Sequence, residues 1–215
     1  HKELQTLVND FNDFFTTKIA NIRQKLDESE SLLHFQIDKI FEGSLLTELE
    51  PTNDDEIIKT VKSASNATCD LDPLPTRLVC DEVLEILAPV IAKLVNISFS
   101  SGVFPDELKE ALVHPLIKKI LLDCEIFKNY RPVSNLAFLS KVMEKLAASR
   151  LFKHMSINGL LELFQSAYKE LHSTETALVK VNNDLMMGID DNSCGYVILI
   201  LLDLSAAFDT IDHIY

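Results

Sequence analysis

The sequence predicts an α+β fold, rich in helix, and three observations carry that expectation. Apolar residues recur at helical spacing over most of the first 190 positions. Strand-like runs arrive late, as "ALVHPLIKK" and as the unbroken apolar stretch Val197–Leu202. Hydrophobic residues make up 47% of the chain and charged residues 25%, and 215 residues suffice for one sizeable core or for two lobes.

The elements follow in order. Leu4, Leu7, Val8, Phe11, Phe15, Ile22 and Leu26 predict one amphipathic helix over residues 2–26, broken by the acidic run Asp27–Ser31. Asn53, with Glu56 three residues on, announces a second helix carrying Ile57, Ile58 and Val61. "CDLDPLPTRLVC", Cys69 to Cys80, reads as a proline-punctuated loop entering a helix with the apolar face Leu87, Val90, Ile91 and Leu94. Pro89 marks a kink there, and Ser100-Ser101-Gly102 ends the helix. Pro105 opens a short helix. Pro115 interrupts "ALVHPLIKK", which marks an edge strand, and "NYRPVSNL" reads as a loop. Ser140 is the expected cap of a helix bearing Leu139, Val142, Met143 and Leu146. Asn158-Gly159 is a turn, and Ser173 caps a helix bearing Leu178, Val181 and Leu185. Cys194-Gly195 turns into Val197–Asp203, expected as a short, fully buried strand, and Ser205-Ala206-Ala207 starts another helix.

Composition narrows the function classes. The longest apolar run falls far short of the ~20 residues that span a bilayer, and the polar start shows no signal peptide. The expectation is therefore an intracellular chain, nuclear or cytoplasmic, with no membrane partner. Cys69, Cys80, Cys124 and Cys194 lie far apart without a C-x-x-C pair, as for free thiols rather than a zinc site. The net charge of −13 opposes nucleic acid, but its distribution does not. Residues 108–180 carry 11 Lys and Arg against 7 Asp and Glu, whereas residues 1–107 carry 9 against 20 and residues 181–215 carry 0 against 6. The middle third is either a basic face or a set of ordinary solvated lysines.

The apolar ramp Val197–Leu202 delivers a carboxylate, Asp203, at its tip. A strand of that kind presents its last residue at the sheet edge where ligands gather, and a rigid exposed carboxylate suits a divalent metal. The same residue equally suits the cap of the helix that follows. None of the five glycines precedes a lysine, so a P-loop is excluded. Ser205 stands where an aspartate-nucleophile phosphatase would carry its second Asp.

"LLDLSAAFDTIDH", Leu201 to His213, resembles the first catalytic motif of reverse transcriptases, in the dialect of LINE-type, non-LTR retrotransposons of the jockey and chicken-repeat branches. "CDLDPLPTRLV", "SSGVFPDELKEALVHPLIKK", "NYRPVSNLAFLSKVMEKLAASRL" and "FQSAYKELHSTETALVKVNNDL" resemble the successive upstream blocks, so the likeness covers residues 65–213. It implies a helical connector over residues 1–64, then over residues 65–215 the fingers and first palm strand of a right-hand polymerase, incomplete. By that resemblance Asp203 and the carbonyl of Leu204 coordinate Mg²⁺. Phe208 lies under the incoming sugar and rejects a 2′-hydroxyl. Arg131, Lys169 and Gln165 face template or triphosphate, Arg131 as a fork and Lys169 as a point charge. The implied partners are an RNA template, a DNA primer and deoxynucleoside triphosphates.

Departures from the family pattern bear on activity. The second block usually reads Gly-Phe-Arg and here reads Ala167-Tyr168-Lys169, so any positive φ at Ala167 would be strained. The family's aromatic-x-Asp-Asp hairpin has no counterpart, since Asp54-Asp55 and Asp190-Asp191 lack the aromatic. The resemblance thus implies a chain truncated after the first catalytic motif, without the rest of the palm and the thumb, and inactive alone. The alternative is a non-catalytic, retroelement-derived module that binds RNA or protein. Asp209 and Asp212 suit the start of a helix, and His213 has no assigned role.

Overall fold

The computed structural model describes residues 2–28, 43–64, 68–81, 83–190, 196–204 and 206–211. It is helix-rich with one two-stranded antiparallel sheet. Its chain divides into two compact units, residues 1–158 and 159–215.

In the first unit, α1 (Lys2–Glu28) runs through Asp27 and Glu28, two residues past the expected break. Ser29–Ser31 lie outside the described residues. Its aromatic ridge meets the turn that leads into the second strand of the sheet, the Phe11 ring lying tilted at 4.5 Å from Phe127 and edge-on at 4.9 Å from Tyr130. Leu4, Leu7, Val8 and Leu26 of the expected apolar face are exposed. Helix α2 (Asp54–Lys62) starts where its cap requires, the Asn53 side chain accepting from the Glu56 amide at 2.9 Å.

The loop after residue 68 leads through α3 (Thr76–Asp81) into α4 (Leu84–Ser101), which runs on past Pro89 and ends at Gly102 in the left-handed region, φ 67°. Gly102 is the residue type such a helix end favours. By length and composition α4 is apolar enough to cross a membrane, and here it lies against α2 and α5. Leu84, Ala88, Ile91, Ala92 and Val95 face inward. Val90, expected on that face, is exposed, because the inward stripe falls one position away at Ile91.

Two corrections concern the middle of the chain. A single turn, Asp106–Leu108, follows Pro105, and then β1 (Ala111–Ile117) pairs without interruption with β2 (Tyr130–Leu136). "NYRPVSNL" is thus a strand, not a loop. Pro115 sits opposite Pro132. The Lys118 amide bonds the Asn129 carbonyl at 2.9 Å, and counting down the alternating ladder makes the proline rung one that exchanges no hydrogen bonds. Two missing N–H donors therefore cost the ribbon nothing.

The second correction is at α5 (Phe138–Ile157). Ser140 does not cap it but lies inside it, fully buried, donating to the Leu108 carbonyl at 2.8 Å. The cap comes from Asp72, whose Oδ1 accepts from the Phe138 amide at 2.6 Å while Oδ2 accepts from the Cys69 amide at 2.8 Å. One carboxylate thus fixes both the loop and the helix start. Ile57 and Val61 of α2, Phe138, Val142, Met143 and Leu146 of α5, and the α4 stripe form the core. Arg150 closes its rim, with Nη1 and Nη2 each 2.6 Å from a Glu56 oxygen and the guanidinium 5.7 Å from the Phe99 ring centre. Asn96 pairs with the backbone of Thr52 through both its amide groups. Cys69 and Cys124 are free thiols, as expected, and Cys194 lies outside the described residues.

Candidate active site

Most residues singled out for chemistry lie in the second unit, on a frame held by local bonds. Helix α6 (Thr174–Asp190) is capped as expected: the Ser173 hydroxyl accepts from the Thr176 amide at 3.3 Å, and Thr176 Oγ1 accepts from the Ser173 amide at 2.9 Å. The Glu175 carboxyl is held below its ordinary value, first by a hydrogen bond with the Ser173 side chain and then by its own amide. Along α6, Lys180 pairs with Asp184 at 2.6 Å and lies 5.8 Å from the Phe164 ring centre. Leu178 and Val181, expected to be packed, are exposed.

The ramp departs from expectation. Residues 196–204 form no strand, and Val197 through Leu204 are exposed. A strand exists only as a pairing, and no described segment pairs with this one. Asp203 is therefore not carried on a buried strand; its exposed carboxylate stands on irregular chain, with Leu204 beside it. Where the ramp begins, Val197 passes close to α6: a Cβ added at Gly188 would meet Val197 Cγ2 at 3.0 Å. After Asp203 the chain turns at Ala206, φ 55°, whose carbonyl accepts from the amides of Asp209 and Thr210 and from the Thr210 hydroxyl, all at 3.1 Å. Ser205, Asp212 and His213 lie outside the described residues.

The turn carries Phe208 outward, 69% exposed, with its ring centre 6.1 Å from that of Tyr168 and the planes at 85°. The segments containing Gln165, Lys169 and Phe208 are thus joined through a residue that sequence reasoning passed over as a mere substitution. Gln165 donates to the Ala167 carbonyl at 3.2 Å. The expected strain is displaced by one residue: Tyr168, not Ala167, takes the positive φ, 58°, and Leu171 follows at 61°. Arg131 belongs to the first unit, exposed on β2 opposite Leu116.

Among the described residues no three His, Cys, Asp or Glu side chains gather as a metal-holding set. Asp203 and Asp209 are exposed carboxylates, and by themselves they do not make a metal centre.

Residues 117–214 match the family described as "Reverse transcriptase (RNA-dependent DNA polymerase)". The match takes in both segments of the aromatic contact and Asp203. Over this stretch the chain is similar to reverse transcriptases. Its relatives include the RNA-directed DNA polymerase from mobile element jockey of Drosophila melanogaster, 28% identical over 66% of this chain and 15% of that protein. The probable polymerase from transposon BS of the same fly is 28% identical over 77% of this chain and 18% of that protein, and that of transposon X-element 24% identical over 97% and 22%. The chain therefore spans about a fifth, or less, of the length of these relatives. No solved structure matches. Reverse transcriptases as a family depend on a divalent metal.

Proposed function

We propose that this reverse transcriptase domain segment serves RNA-templated DNA synthesis, with residues 1–64 as a helical connector and residues 65–215 as fingers and the start of a palm. Asp203 and the Leu204 carbonyl are two of the donors for the ion, Mg²⁺, whose preference for a few carboxylates, water and phosphate fits an exposed acid of this kind. Phe208 discriminates against ribonucleotides at the sugar. Arg131, Lys169 and Gln165 engage template or triphosphate, with an RNA template, a DNA primer and deoxynucleoside triphosphates as partners. The observation that carries the reading is the matched stretch 117–214, in which Asp203 precedes an outward aromatic at the fifth position.

A salt series of RNA filter binding tests it. Affinity should fall steeply with salt, and Arg131→Ala and Lys169→Ala should each flatten the log–log slope by about one, the loss of one phosphate contact. RNA affinity indifferent to salt would remove both residues from a nucleic-acid track.

A further inference from the structure

The contact between Tyr168 and Phe208 carries an inference about selectivity. The rings meet edge to face at 6.1 Å, the arrangement that the aromatic quadrupole favours. Both rings are largely exposed, at 79% and 69%, so burial is not what holds them together. The backbone is bent to make the meeting possible. Among the described residues three non-glycine positions take positive φ, and two of them serve this contact: Tyr168 itself, and Ala206, whose turn aims Phe208. Strain of that kind costs on the order of 1–3 kcal/mol per residue and persists where the surroundings over-determine it. Exposed aromatics seated by two strained turns are set for a task at the surface.

We propose that Tyr168 is a positioning residue for sugar discrimination. Its ring fixes the orientation of Phe208, so that the face of Phe208 stays where a 2′-hydroxyl would collide with it. The proposal rests on the reading of Phe208 as the residue under the incoming sugar. Without Tyr168 the Phe208 side chain regains its other rotamers, and the obstacle to a ribonucleotide becomes intermittent.

The test uses the 215-residue chain labelled with 4-fluorophenylalanine, the Phe208 fluorine signal being assigned by its loss in Phe208→Leu. Titration with dATP and with ATP gives a preference ratio. Tyr168→Leu should move the Phe208 signal and lower the preference for dATP by about two- to tenfold, the range an edge-to-face pair supports. Tyr168→Phe keeps the ring and should restore both, which separates positioning from a fold defect. A Phe208 signal unmoved by Tyr168→Leu overturns the contact. A moved signal with an unchanged preference overturns the positioning role while the contact stands. A wild-type chain that binds both nucleotides alike, or neither, breaks the reading of Phe208 itself, and the proposal falls with it.

Discussion

The two units of the chain solve opposite problems. Residues 1–158 bury a continuous core of aliphatic side chains and lock its rim with Arg150, Asp72 and Asn96. Among the described residues of 159–215 none is buried, and order there comes from the Ser173 cap, the bonds to the Ala206 carbonyl and an exposed ring pair. Net stability comes from apolar burial surviving the entropy of ordering. The first unit is therefore the thermodynamic body of the molecule, and the second belongs to the low-stability end of its landscape. Asp203 and Phe208, proposed above for metal and sugar recognition, lie in the weaker unit. A site whose order is local can be reshaped by whatever binds it.

Removing the rim lock should break the first unit most. Arg150 keeps 9% of its side chain exposed and Glu56 34%, so Arg150→Met strands a carboxylate that is only partly solvated. The expected loss is on the order of 2–3 kcal/mol, below the range for a fully buried pair, read as a lower urea midpoint for loss of helix signal. Amide exchange along α6 should not change. The same lock carries a pH dependence. The Arg150 hydrogen bond holds the Glu56 carboxyl below its ordinary 4.5, so its stabilisation is present above that value and is lost as pH falls through the depressed folded value. Arg150→Met should therefore flatten the acid limb of a stability–pH curve, and an unchanged limb would assign acid unfolding to other carboxylates.

A smaller loss, about 1–2 kcal/mol, is expected for Asp72→Ala, which frees the Phe138 and Cys69 amides together. Asp72→Asn retains one carboxamide oxygen and should recover part of it. Equal urea midpoints for Asp72→Ala and wild type would show that the loop and α5 hold their places by packing alone.

These locks mark what was legible in the sequence. Caps made within four residues could be read directly: Asn53 to Glu56, Ser173 to Thr176, and Gly102 at the end of α4. The cap of α5 could not, because its acceptor lies 66 residues upstream. "NYRPVSNL" looked like a loop because Pro132 counts against a strand, and only the facing Pro115 removes the objection. The ramp looked like a buried strand because hydrophobicity reports what a segment would bury, not whether a partner is there to pair with it. At the candidate site the motif exposed Asp203 and Phe208 to sequence reading. Tyr168 escaped it because its role is a contact across 40 residues of chain.

The exposed ramp sharpens the comparison from the other side. Ile200 is 74% and Leu202 90% exposed within one apolar run, a surface prone to self-association. Ile200→Lys with Leu202→Lys should make the chain more monodisperse by light scattering while leaving the urea midpoint of the first unit within about 0.5 kcal/mol. Wild-type chain that stays monomeric at high concentration would mean the run is not adhesive.

The smallest effect is expected at Gly188, where two terms oppose each other. Alanine is favoured over glycine in a helix interior by up to about 1 kcal/mol, and less this close to the end of α6 at Asp190. Against that, the new Cβ would lie 3.0 Å from Val197 Cγ2, tighter than ordinary contact. Valine is stiff about its first torsion, so relief requires the ramp to move rather than the side chain to spin. Because Val197 is 38% exposed, that movement meets little packing. Gly188→Ala should therefore strengthen amide protection in the last turn of α6 by a few tenths of a kcal/mol, shift the Val197 methyl resonances and leave the first unit untouched. If α6 instead loses protection, the start of the ramp is held against the helix more firmly than its exposure implies, and the second unit has a packed contact that the comparison denies it.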